Sequence, residues 1–269
     1  MRLFPPLNPP MADWRGKRVW IVGASSGIGR ATAEALLARG ALVAVSARQR
    51  EALDTLALPY ADCGRADGLS PLTVLSLDAT DADAVRDAHA VLAARGPLDL
   101  VLYCAGTYQA LRADAFSLDV MVAHQRINYV GALNVLAAVL PGLVARGAGH
   151  VALTASVAGF RGLPQSLAYG PTKAALTNLA EVLYTDLHRL GIGVSVVQPG
   201  FVETPLTAQN AFRMPALITP AQAADAMLAG WARGDFELHF PKRFTFWMKL
   251  LRILPYRVYF AVVQRVTGL

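Results

Sequence analysis

Lys17-Arg18-Val19-Trp20-Ile21-Val22-Gly23-Ala24-Ser25-Ser26-Gly27-Ile28-Gly29-Arg30 opens with a short apolar run and passes into a glycine-rich turn. Residues 17–22 read as a buried strand, and residues 29–39 carry a helical pattern. A strand, a glycine turn and a helix start aim backbone N–H groups at a phosphate, where the helix dipole adds favourable potential. Gly23, Gly27 and Gly29 suit that turn because a Cβ would block its sharp bend and the close approach of a pyrophosphate. An ordinary glycine-rich loop is the bland alternative. The strand and helix on either side point instead to nucleotide binding by Gly23, Ser25, Ser26, Gly27, Ile28 and Gly29.

The pattern repeats outward from this turn. Further strands are expected at 41–47, 72–77, 98–104, 150–155, 194–197 and 236–240, with helices at 81–95, 118–146, 166–190 and 221–232. Strands alternating with helices imply an α/β fold: a Rossmann-like, doubly wound, seven-stranded parallel sheet with helices on both faces. A composition of 54 % hydrophobic and 16 % charged residues suits a sheet covered on both sides. Residues 58–70 are the least patterned and read as a surface loop.

The net charge of +6 is unevenly placed. Lys242, Arg243, Lys249, Arg252, Arg257 and Arg265 lie in a 242–269 segment without Asp or Glu, which leaves 19 basic and 19 acidic residues before it. The body is therefore neutral, and no basic stripe for nucleic acid is expected. Cys63 and Cys104 form neither a metal-ligand spacing nor a disulfide framework, so a reducing cytoplasm is expected. Residues 1–16, with four prolines and no long apolar core, read as an extended arm and not as a secretory leader. The expected organisation is this arm, a nucleotide-binding catalytic domain over 17–241, and a basic amphipathic extension over 242–269.

The second strand ends Ser46-Ala47-Arg48, and no carboxylate lies between Ala41 and Arg50. A carboxylate here would accept from the ribose 2′-OH of NAD. An arginine fits the 2′-phosphate of NADP, so Arg48 points to NADP(H) over NAD(H), with Ser25 and Arg30 as second contacts. Asp78 is read either as an acceptor for the adenine amino group or as the cap of a turn or helix.

Tyr169 and Lys173 are four apart at the start of a predicted helix, which puts both on one face. Pro171 between them fits only a first turn. A tyrosine phenol ordinarily titrates near ~10. An ammonium one turn away is expected to lower it towards the range of acid–base catalysis. Ser156, after the fifth strand, is placed to hold a substrate oxygen against the tyrosine. Asn128, an amide inside an apolar helix, needs a hydrogen-bonding reason, and holding a water against the lysine is one. Each of these has a structural alternative taken singly; their order along one chain favours a reacting group.

On these motifs the chain resembles the short-chain dehydrogenase/reductase family, of the single-domain type, over about 17–240. The resemblance implies an Asn128–Ser156–Tyr169–Lys173 tetrad, with Ser156 thirteen residues before Tyr169. It also implies cofactor contacts from Ala105, Gly106, Tyr169, Lys173, Pro199, Gly200, Val202 and Thr204. Two departures stand out: Val22 where the family usually has Thr, and Cys104 where it usually has Asn before Ala-Gly. Cys104 is read as a small, weakly polar residue and not as a nucleophile. The implied reaction interconverts a carbonyl and a secondary alcohol with NADP(H), by a homodimer or homotetramer. A non-catalytic nucleotide-binding protein on the same fold is the rival, and an intact tetrad counts against it.

Residues 240–269, FPKRFTFWMKLLRILPYRVYFAVVQRVTGL, are apolar, aromatic and basic. Charges and Pro255 interrupt them too often for a transmembrane span of ~20 residues. Two short amphipathic helices around Pro255 are expected, either covering a substrate cleft or an oligomer interface, or resting on an anionic membrane. The loops at 108–116, 160–166 and 206–218 are expected to shape the pocket. Phe160, Leu163, Phe212, Met214 and Leu217 there favour a small hydrophobic substrate.

Overall fold

The computed structural model describes residues 5–60, 70–210, 212 and 214–268. Seven strands, β1 (Arg18–Val22), β2 (Leu42–Ser46), β3 (Leu72–Val74), β4 (Leu100–Tyr103), β5 (Gly149–Thr154), β6 (Ile192–Pro199) and β7 (Glu237–Phe240), form one sheet in the order β3-β2-β1-β4-β5-β6-β7. Every pairing is parallel. The Rossmann-like, doubly wound sheet expected from the sequence is the one that forms.

The two-residue period of β1 divides the core. Val19 and Ile21 join Leu36 of α1 (Gly27–Leu37) and Met227 and Trp231 of α7 (Pro220–Arg233) on one face. Trp20 and Val22 join Val85 of α3 (Ala82–Ala93), Val135 of α5 (Gly131–Arg146) and Leu176 of α6 (Tyr169–Leu187) on the other. Both faces of the sheet are thereby buried, as parallel sheets require.

The helical stretch expected over 118–146 is continuous but not uniform. It runs as α4 (Leu118–His124), a π turn (Gln125–Val130) and α5. By length and hydropathy it is apolar enough to cross a membrane. Here Ala132, Val135, Val139 and Leu143 are buried in the sheet's own core, so it acts as a core helix.

One element departs from the sequence reading. A helix, α2 (Arg50–Ala57), follows β2 where none was expected; only Leu53 and Leu56 of its eight residues are buried. Of the loop expected at 58–70, residues 58–60 form a 3-10 turn and 61–69, including Cys63, lie outside the described residues.

The N-terminal arm is not a free extension. The Asn8 Oδ1 accepts from the Val194 N–H at 2.9 Å, and Asn8 Nδ2 donates to the Val194 carbonyl at 2.8 Å. β7 pairs with β6 only from Val196, so the two backbone groups of Val194 on that side lack a strand partner. The Asn8 amide supplies what the missing strand would. Trp14, 2 % exposed, then meets Trp231 edge-on at 5.7 Å.

Beyond β7 the two helices expected around Pro255 form as α8 (Lys242–Ile253) and α9 (Tyr256–Thr267). Arg161 ties their corner to the body. Its guanidinium donates to the Leu254 carbonyl at 2.5 Å and lies over the Tyr256 and Tyr259 rings, at 4.5 and 4.1 Å from their centroids.

Candidate active site

Strand order reverses between β1 and β4, and a parallel sheet opens a crevice at its carboxyl ends where this happens. A cleft of about 1520 Å³ occupies that place. This exceeds the ~300–1,000 Å³ usual for one small ligand, leaving room for a cofactor and a substrate together.

The glycine turn forms the floor. Gly23 has φ +98°, and a Cβ there would run into the Ala105 backbone N; its own N–H bonds the Ser46 carbonyl at 2.7 Å. A Cβ on Gly29 would collide with the Gly23 carbonyl, and one on Gly27, at φ +56°, would stand 2.8 Å from Thr204 Cγ2. Ser26 caps α1 through extended backbone, while its side chain makes no capping bond to the first-turn N–H groups. Ser25, Ser26, Gly27, Ile28 and Gly29 all line the cleft. A cradle that three Cβ atoms would fill, at an open helix N-terminus, fits a dinucleotide pyrophosphate.

Arg48 and Asp78 line the same cleft. Arg48 is exposed and makes no ion pair among the described residues. Arg30 is committed elsewhere, to Glu34 at 3.0 Å and the Ala52 carbonyl at 3.3 Å. Asp78 Oδ1 accepts from the Thr80 N–H at 2.9 Å, so it closes a turn, while the cap of α3 is Asp81. Ala105, Gly106, Pro199, Gly200, Val202 and Thr204 line the opposite side.

Ser156, Tyr169 and Lys173 come together above the glycine turn. Ser156 follows β5, and its Oγ accepts from the Ala158 N–H at 3.1 Å and contacts the Tyr169 phenol. Tyr169 is the first residue of α6 and Lys173 lies one turn on. Lys173 Nζ sits 5.4 Å from the Tyr169 ring centroid and donates to the Thr154 carbonyl at 2.8 Å. Burial pushes the Tyr169 phenol up to about 12, opposed by its hydrogen bond with Ser156. Burial likewise lowers the Lys173 ammonium to about 8. The expectation that the lysine depresses the tyrosine is therefore corrected: desolvation dominates both groups.

Asn128 is fully buried inside the π turn. Its Oδ1 accepts from the Thr107 N–H at 2.7 Å, and its Nδ2 donates to the Thr107 carbonyl at 3.1 Å and to Thr172 Oγ1 at 3.0 Å. Its reason for being there is thus direct: it fixes the loop after β4 to α6, beside the Tyr169–Lys173 turn.

A family model described as short chain dehydrogenase matches residues 17–213. This chain belongs to that family. An oxidoreductase of Myxococcus xanthus, itself uncharacterized, is 36 % identical over 256 residues, covering 95 % of this chain and 99 % of the relative. Among solved structures, a short chain dehydrogenase from Burkholderia cenocepacia in complex with NADP superposes with a TM-score of 0.78 at 25 % identity, covering 93 % of this chain and 98 % of that one. A gluconate 5-dehydrogenase from the same species, in complex with NADP and tartrate, gives 0.76 at 28 % identity, covering 87 % and 98 %. As a short-chain dehydrogenase, the chain is an oxidoreductase of a family that binds a nicotinamide cofactor and acts on CH–OH groups.

In this short-chain dehydrogenase the two departures are absorbed. Val22 is buried in the β1 core, and Cys104 keeps its backbone bond to Val22 at 2.7 Å. Burial pushes the Cys104 thiol up, away from the thiolate that a nucleophile needs. Of the apolar residues expected in the pocket, Leu163, Phe212 and Met214 line it. Phe160 is instead buried against Val157 and Met248, and Leu217 lies outside the cleft. The 108–116 loop expected to shape the pocket supplies Tyr108, edge-on to Tyr169 at 5.2 Å, and the helices expected over 242–269 line the cleft as a wall, one of the placements expected for them, through Phe244, Met248 and Val263. The amphipathic pattern of 242–269 is the signal for that wall.

Proposed function

We propose that this chain interconverts a ketone or aldehyde and the corresponding alcohol with NADP(H), on a hydrophobic substrate. The observation that carries the reading is the meeting of Ser156, Tyr169 and Lys173 in one cleft with the glycine turn. When bound, the reduced nicotinamide supplies the hydride. Ser156 orients the substrate oxygen, Tyr169 gives it a proton as charge develops there, and Lys173 binds the nicotinamide ribose. Asn128 positions the Tyr169–Lys173 turn by holding the loop after β4 against α6. The substrate oxygen thus takes the Tyr169 phenol proton, and the corresponding alcohol, secondary from a ketone, leaves.

NADP(H) is favoured over NAD(H) by Arg48 at the cleft edge and by the absence of a carboxylate from 41–50. The two related structures bound to NADP support the same choice. The apolar α8–α9 wall favours a hydrophobic substrate. A homodimer or homotetramer suits the exposed Leu118, Val122 and Leu133 on the long helical stretch. A reducing cytoplasmic setting suits the free Cys104. A purely nucleotide-sensing protein leaves the Ser156–Tyr169 contact without a purpose.

A panel of ketones and acyl aldehydes of rising chain length, followed at the NADPH absorbance band, tests the reading. Oxidation of NADPH with kcat/KM rising with chain length is expected. No turnover across the panel, or equal use of NADH, contradicts it.

A further inference from the structure

The outward face of α8 is apolar where a surface helix normally carries its polar side. Thr245 and Met248 are buried against the body. On the opposite face Phe246, Leu250 and Ile253 follow at i, i+4 and i+7, exposed by 59, 48 and 76 %. Trp247 stands beside them, and Tyr256 and Phe260 of α9 continue the patch, stacked at 5.8 Å. These side chains do not cover the cleft; that is done by the inner faces, through Met248 and Val263.

The charge around the patch has one sign. Residues 242–268 contain no acidic residue. Lys249 pairs with Glu237, and Lys242 Nζ sits against the His239 ring nitrogen at 2.9 Å. Arg243, Arg257 and Arg265 make no ion pair among the described residues, while Arg252 turns inward over the Phe160 ring at 5.6 Å. A symmetric dimer through this face would set these arginines against themselves. An anionic surface neutralises them while taking up the aromatic and aliphatic side chains.

We infer that the outer face of α8 and α9 docks on an anionic lipid bilayer. Trp247 and Tyr256 lie at the headgroup boundary, Phe246, Leu250 and Ile253 enter the acyl layer, and the unpaired arginines contact lipid phosphates. The inner face of the same helices lines the cleft, so docking brings the cleft mouth to the lipid. Delivery of a hydrophobic carbonyl by that route rests on the function proposed above; docking itself does not.

Trp14, Trp20 and Trp231 are at most 2 % exposed and Trp247 is 66 % exposed, so tryptophan emission reports on this face. The full-length protein is mixed with vesicles of phosphatidylcholine alone or containing phosphatidylglycerol, then sedimented and its emission recorded. At least about tenfold more binding to the phosphatidylglycerol vesicles is expected, reversed by high salt. A blue shift absent from Trp247→Phe is expected with it. Phe246→Ser combined with Ile253→Ser loses the binding while keeping NADPH oxidation on a water-soluble ketone, or, should no ketone be turned over, the far-ultraviolet dichroism of the parent. Equal, weak sedimentation with both vesicle types overturns the inference. So does a blue shift that follows protein concentration without vesicles, which marks a second copy as the occupant.

Discussion

Lys173 Nζ bonds the Thr154 carbonyl at 2.8 Å while standing 5.4 Å from the Tyr169 ring. The lysine is held at the end of β5, one turn along α6 from the tyrosine, and it is 3 % exposed. A buried ammonium with one carbonyl partner costs stability. Packing alone does not favour its position at the cleft.

That cost has a pH signature. With Lys173 lowered to about 8 from an ordinary 10.5, the folded state binds fewer protons than the unfolded state between those values. Stability contributed by this site therefore rises with pH from about 8 to 10.5. Lys173→Met is expected to raise unfolding stability at neutral pH by on the order of 1–3 kcal/mol, measured by urea unfolding without cofactor. The difference from the parent shrinks towards pH 10, and turnover is lost at every pH. A variant less stable than the parent at pH 7 contradicts the assignment of that cost to desolvation.

Arg48 is expected to act on one phosphate. Arg48→Ala raises the KM for NADPH by roughly 10- to 100-fold, the worth of about 1.5–3 kcal/mol for a charge-assisted hydrogen bond. The KM for NADH stays within about twofold on the same reasoning. Steady-state kinetics with each cofactor check this; parallel changes in the two values contradict it.

Asn8→Ala removes the amide that satisfies both backbone groups of Val194. The expected loss is about 2–4 kcal/mol of unfolding free energy, from two buried groups left without partners. Denaturant midpoints measure it. Activity per folded molecule is expected to be unchanged, since Asn8 lies at the amino end of the sheet, away from the cleft.

What was legible in the sequence is what short-range geometry encodes. The glycine turn, the strand–helix alternation and the Tyr169–Lys173 spacing depend on dihedrals and periods within a few residues. α2 was not legible, because one buried turn of Leu53 and Leu56 among charged neighbours gives no helical stripe. The docking of Asn8 and Trp14 was hidden for a different reason: their partners, Val194 and Trp231, lie about two hundred residues away. The Tyr169 phenol illustrates the same limit at the site. Spacing places the lysine beside it, but whether charge or desolvation governs its proton depends on burial that only the folded chain sets.

The central claim is that Tyr169 supplies the proton in the reaction, and Tyr169→Phe tests it most directly. The substitution removes one oxygen and leaves the ring that contacts Tyr108 and Lys173. NADPH affinity, read by fluorescence titration, is predicted to stay within about threefold of the parent, while kcat falls by at least ~10³-fold. Retained turnover with a carbonyl that the parent reduces would contradict the account.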